Sequence, residues 1–157
     1  MSKHHQRSEK IVIALYDSYI NAIRNSIGSK IFKNYYAYVN GKKRDILRDG
    51  NLSCAVYVSS ILLLFGLTDR IHTTVKDTVF SLHKYGWSKI NRSRIGAILV
   101  WEAKKFPNGE THKHIGFYIG KGQAISNSSK LKSPIVHNWT YNNKRPIENI
   151  FWNRRFL

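Results

Sequence analysis

Apolar residues recur at helical spacing through the first half of the chain and at strand spacing through the second. From Ile11, the positions Val12, Tyr16, Tyr19, Ile20, Ile23 and Ile27 share one helical face up to Gly28, while Asp17, Asn21 and Arg24 lie on the other. This pattern predicts an amphipathic first helix. A second helix is framed by polar Asn51 and Ser53 and by Gly66, and between them Val58, Ile61, Leu62 and Phe65 follow the i, i+3, i+4, i+7 rule. Val56, Leu63 and Leu64 leave it almost no polar face, the signature of a helix buried on most sides. Thr73 to Lys84 carries Val75, Val79 and Leu82 at helical spacing, with Thr73 or Thr74 as cap and Gly86 as stop. Between the first two helices, Phe32 to Val39 is aromatic-rich and ends on the turn signal Asn40-Gly41, which suits either a short strand or an aromatic-lined loop. Gly41 to Gly50 is charged and is expected to be a loop.

After Gly86 the period changes. Ile95 to Trp101 is short, apolar and β-branched without alternation, as in a strand covered on both faces. Phe106 to Gly109 is a turn, and His114 to Ile119 alternates, with Ile115, Phe117 and Ile119 on one face and His114, Gly116 and Tyr118 on the other. Gly120-Lys121-Gly122 reverses the chain into Gln123 to Ser128, and Ser133 to His137 and Ile147 to Trp152 read as later strands. Helices followed by strands predict an α+β fold, with the helices packed to one side of an antiparallel sheet.

At 157 residues with 42% hydrophobic content, the chain suits one domain, residues 10–157, behind a basic flexible leader of residues 1–9. The leader lacks a signal-peptide core, and no apolar run reaches the roughly 18 residues of a membrane span. The single cysteine excludes an internal disulfide. No metal or other cofactor is expected: a structural zinc site has little support with one Cys and no close His pair at helical spacing. A formal charge of +17 implies attraction to polyanions, whether nucleic acid, anionic lipid or anionic cell-wall polymer, without choosing among them.

Cys54 falls in the first turn of the second helix, where unpaired N–H groups and the helix dipole favour a thiolate. A histidine on a downstream strand then supplies the base of cysteine catalysis, and His114 is the best placed. It shares its face with Gly116, a residue that marks a close backbone approach, for which the Cys54 helix is the candidate neighbour. The third residue depends on hairpin register. A two-residue turn pairs Gly116 with Asn127, and a three-residue loop pairs it with Ser126. Asn127 is chemically the better orienting group, since an amide oxygen accepts from an imidazole N–H, and His137 is a more distant candidate or a cleft residue.

Ser53-Cys54-Ala55-Val56-Tyr57-Val58 resembles the Asp-Cys-Ser-Gly-Phe-Val signature of the NlpC/P60 cysteine peptidases. Ile95 to Trp101 is similar to their Gly-Asp-Leu-Val-Phe-Phe strand, and His114 to Gly122 to their His-Val-Gly-Ile-Tyr-Leu-Gly-Asn-Gly. The tail Ile150 to Phe156 is similar to their closing Tyr-Trp-x-x-Arg strand. The resemblance implies a papain-like domain that hydrolyses a peptide or amide bond in bacterial peptidoglycan, with Cys54 as nucleophile and His114 as base. It further implies a substrate-binding tyrosine at Tyr36 or Tyr38 and site positions at Ser53 and at Ser126, where the family often has its third histidine. The protein is expected to act as a monomer. Ser53 replaces the family's aspartate, Ala55-Val56 its Ser-Gly and Ala97 an acidic residue. The alternative reading is a basic module that binds nucleic acid or another polyanion, with Cys54 in its core.

Overall fold

A computed structural model describes residues 9–156. Most of the leader expected at residues 1–9 lies outside that range. The chain runs α1 (Leu15–Asn25), β1 (Tyr36–Val39), β2 (Lys42–Asp45), α2 (Cys54–Leu64), α3 (Val75–Lys84), β3 (Trp87–Lys89), β4 (Ile98–Lys105), β5 (Thr111–Gly120), β6 (Gln123–Ser128), β7 (Ser133–Asn138) and β8 (Ile147–Asn153). Strands β3 to β8 form a six-stranded antiparallel sheet in the order β3-β8-β4-β5-β6-β7. The fold is α+β, and among the described residues no helix is long and apolar enough to cross a membrane.

Each helix follows from its sequence pattern. In α1, Tyr19, Ile20 and Ile23 are buried while Ile11, Val12 and Ile13 stay exposed ahead of the helix, so the helix starts later than the periodicity suggests. No side chain caps it, which removes the signal that would have marked its start. In α3, Thr74 caps by accepting from the Asp77 N–H at 3.1 Å. α2 is buried almost all round, from Ala55 to Ser59 and at Ile61 and Leu62. It packs on β5 and β6 and shares a core with Tyr19, Ile98, Val100, Ile115, Phe117 and Ile125.

The other sheet face carries a second apolar cluster, Leu99, Trp101 and Ala124, beside His114, Gly116 and Ser126. Its tightest point is Gly116. A methyl group there would come within 2.6 Å of the Ile125 carbonyl oxygen, 2.7 Å of Ser126 Cβ and 3.1 Å of the Trp101 ring. The close approach is therefore made by β6 and Trp101, not by the Cys54 helix.

Three register shifts bracket this region. They fall between Trp101 and Lys104 on the β4–β5 side, between Val100 and Trp101 on the β4–β8 side, and between Tyr118 and Gly120 in the β5–β6 hairpin. The hairpin turn joins Gly120 to Gln123, yet Gly116 pairs with Ser126. The irregularity at Ile119 adds one residue to β5 and moves the register by one, which in a pleated strand exchanges the two faces.

The segment Asn40-Gly41 is a hairpin turn between β1 and β2, so the first half of the expected loop after Gly41 is a strand. It is nearly all exposed and meets no other strand. Gly116→Ala is expected to lower the unfolding free energy by about 1–3 kcal/mol through overpacking of a site with no slack. The shift of the urea midpoint at constant slope checks it.

Candidate active site

The loop ahead of α2 is built by Asp45. Its carboxylate accepts from the backbone N–H groups of Tyr35 (3.0 Å), Leu47 (3.1 Å) and Asp49 (2.8 Å) and from the Asn34 amide (2.7 Å). Burial works against ionisation, but these donors hold the group at about 2, so it is charged at every neutral pH. Gly50 and Asn51 then tie the loop to β6 and the segment after it: Asn127 Nδ2 donates to the Gly50 carbonyl at 3.1 Å, and Lys132 Nζ to Asn51 Oδ1 at 2.5 Å. This delivers Cys54 to the first position of α2, against β5 and β6.

Cys54, His114, Ser126, His137, Tyr141 and Arg145 line one open cavity of about 1280 Å³. That exceeds the roughly 300–1,000 Å³ of small-molecule sites and suits an extended or oligomeric substrate.

The hydrogen bonds determine the proton positions. His137 Nδ1 lies 2.8 Å from the Asn138 carbonyl, which can only accept, so Nδ1 carries the proton and Nε2 of the neutral ring is an acceptor. Ser126 Oγ, 2.8 Å from His137 Nε2, must donate to it. With its one proton used, Ser126 accepts from His114 Nε2–H at 2.8 Å and from the Tyr141 hydroxyl at 3.2 Å. His114 therefore holds its proton on Nε2 and keeps Nδ1 as a free lone pair.

Aromatic packing clamps these rings. Trp101, fully buried and anchored by Nε1–H to the Trp139 carbonyl at 2.7 Å, has its ring centre 5.2 Å from that of His114, 5.5 Å from His137 and 5.6 Å from Tyr141. His137 and Tyr141 stack at 4.2 Å. Tyr141, Asn142 and Asn143 are all left-handed, with φ of 53°, 55° and 62°. The Asn138 side-chain oxygen holds that unfavourable turn by accepting from the N–H groups of Thr140 (3.0 Å) and Asn142 (2.9 Å).

Electrostatics run against the expectation of an activated thiolate. Burial raises the Cys54 thiol above its ordinary range, and the N–H groups of Ile115 and Ala55 and the charge of Arg145 offset this only in part. Burial, with the charge of Arg145 and the nearness of His137, pushes His114 down to about 3. At rest the cavity is lined by a neutral thiol and a neutral imidazole. The helix N-terminus does not reverse desolvation, and the thiol stays above its ordinary range.

Of the residues expected at the site, Cys54, His114, Ser126, Asn127 and His137 all line the cavity. Asn127 does not meet the His114 ring. The bulge at Ile119 turns it to the other face, where its amide donates to Gly50 and its Oδ1 is buried without a partner. Ser53 is fully buried and does not line the cavity, and its hydroxyl is unpartnered. Tyr36 and Tyr38 stand exposed on the β1–β2 hairpin, away from the cavity lining, because that hairpin packs against no other strand. Sequence reasoning missed Tyr141 and Arg145. Their only local signals were the Asn-rich turn after Trp139 and a basic residue before Pro146. Among the described residues no cluster of His, Cys, Asp or Glu is arranged to hold a metal ion.

No family model matches the sequence, and no curated protein matches it.

Two outcomes follow from the proton arrangement. The rate of Cys54 alkylation by iodoacetamide is expected to rise with an apparent midpoint above the free-thiol value of about 8.5, because burial raises the thiol. No inflection is expected between pH 5 and 7, because His114 protonates only near 3. A stopped-flow pH profile checks both. Nitrogen-15 imidazole spectra are expected to show His114 as the Nε2–H tautomer and His137 as the Nδ1–H tautomer. In Ser126→Ala, where the shared hydroxyl is gone, His114 is expected to become a mixture, with about 1–3 kcal/mol lost from stability.

Proposed function

We propose that this protein is a cysteine hydrolase with a papain-like, NlpC/P60-type fold that cleaves a peptide or amide bond in bacterial peptidoglycan. One observation carries the reading: a cysteine at a helix start and an imidazole with a free, oriented lone pair line the same substrate-sized cavity. The resemblance of the Cys54, His114 and tail segments to the NlpC/P60 signatures supports the wall substrate.

The chemistry assigned to these residues begins with a neutral pair. His114 Nδ1 takes the thiol proton as Cys54 Sγ bonds to the substrate carbonyl carbon, so thiolate forms only as it is consumed. The N–H groups of the first turn of α2, which lack helical partners, face the developing oxyanion. The imidazolium then gives its proton to the leaving amine, the C–N bond breaks and a thioester remains. Water, deprotonated by the same nitrogen, attacks the thioester, and the thiol leaves with the proton. Ser126 and His137 keep Nε2 of His114 engaged throughout, so that Nδ1 stays in position.

The test is incubation of purified protein with peptidoglycan fragments, followed by mass spectrometry. New amine and carboxylate termini are expected with the wild type, and a loss of at least about 10³-fold in rate is expected with Cys54→Ala, since the nucleophile is absent. Cleavage that persists in the variant refutes the role of Cys54. Cleavage by neither protein, with salt-sensitive retention of polyanions by both, leaves the basic binding module as the function.

A further inference from the structure

We infer that Arg145 is the seat for a carboxylate of the substrate, so that the site takes chains carrying a carboxylate close to the bond that Cys54 attacks. This rests on the hydrolase reading for the words "substrate" and "bond", but the anion seat itself stands on the geometry of Arg145.

The guanidinium is half-buried in the loop between β7 and β8 and lines the same cavity as Cys54, His114 and Tyr141. Its Nε–H donates to the Glu102 carbonyl at 3.0 Å and an Nη2–H to the His112 carbonyl at 2.8 Å. These two bonds consume the side-on edge of the fork and leave three of its five donors. The end-on edge, one N–H from each terminal nitrogen, is the geometry that takes both oxygens of a carboxylate. Backbone carbonyls orient the group without neutralising it.

Among the described residues, no carboxylate of the chain forms an ion pair with Arg145. Glu110, the one acidic side chain among the described residues lining the cavity, is engaged by Arg48 at 2.9 Å and by His112 at 2.9 Å. Glu148, on β8, is held by Lys113 at 2.6 Å. Glu102 lends Arg145 its carbonyl, while its own carboxylate makes no ion pair. A charge removed from water is seldom left unpaired, because desolvation makes it expensive. The charge of Arg145 is felt at Cys54, His114 and Tyr141, which places the seat at the reacting end of the cavity. The surrounding Lys104, Lys113, Lys130 and Lys144 are exposed and form a field rather than a fork.

The seat is read by chemistry that needs no turnover. Cys54 is alkylated with iodoacetate, an anion, and with iodoacetamide, its neutral counterpart, and the ratio of rates is normalised to that of a small free thiol. The wild type is expected to favour iodoacetate by about tenfold, which corresponds to about 1.4 kcal/mol. The preference is expected to persist at 0.5 M salt, where the contribution of the exposed lysines is screened. Arg145→Gln is expected to abolish it and Arg145→Lys, which keeps the charge without the fork, to retain about a third. A normalised wild-type ratio near one, a preference that vanishes with salt, or one unchanged in Arg145→Gln overturns the inference. Because Arg145 also ties β4 to β5, Arg145→Gln can fail to fold, and the wild-type salt series and Arg145→Lys then decide. In a second arm, an N-acetylated dipeptide acid is expected to protect Cys54 from iodoacetamide at least about tenfold better than its amide, and equal protection overturns the assignment. Failure of peptidoglycan cleavage alone would leave these readouts intact, so the two proposals fall separately.

Discussion

The arrangement of the site depends on one hydroxyl. Ser126 has a single proton and two lone pairs, and its three neighbours, His137, His114 and Tyr141, use all of them. Because the Asn138 carbonyl fixes the tautomer of His137, the direction of every other bond follows. An ionised carboxylate at position 126 would have offered His114 an acceptor but could not have donated to His137. The small serine side chain also fits where Gly116 and Trp101 leave little room, so packing and proton order are set at the same point.

At Cys54 burial and field act in opposite directions, whereas at His114 they act in the same one. A thiol at a helix start would ordinarily be acidified, yet the surrounding protein removes enough water to favour the neutral form. The same burial, with Arg145 nearby, disfavours a cation on His114. An ion pair prepared in advance is thus replaced by a neutral pair. The resting site therefore holds a thiol rather than a thiolate, and the neutral form is the less readily oxidised.

Much of this was written in the sequence at the level of elements. The apolar run after Ser53 gave α2, the alternation after His114 gave β5 with its two faces, and the helices-then-strands order gave α+β. The choice between Asn127 and Ser126 was not legible, because it turns on one extra residue at Ile119, and a bulge there leaves the hydrophobic alternation of both strands intact. Tyr36 and Tyr38 were expected in the cleft from the NlpC/P60 resemblance alone, and a resemblance at that spacing does not reveal that a hairpin stands free of the sheet. Tyr141 was invisible for a different reason. Its place at the site depends on a left-handed turn held by the side chain of Asn138, and nothing in hydropathy reports backbone handedness.

The charge of the molecule acts at two ranges that should be kept apart. A formal +17 raises the concentration of any anion near the surface and speeds its arrival, but it treats nucleic acid, lipid and wall polymer alike. Discrimination requires a donor set with a shape, held where water is scarce. The exposed lysines around the cavity lack both properties, since each is a flexible point charge in high dielectric. Arg145 has both, because two carbonyls hold its plane and the cavity wall removes part of its solvent. The broad field therefore accounts for attraction, and selection among the molecules so gathered falls to the oriented guanidinium and to the shape of the cleft beside Cys54.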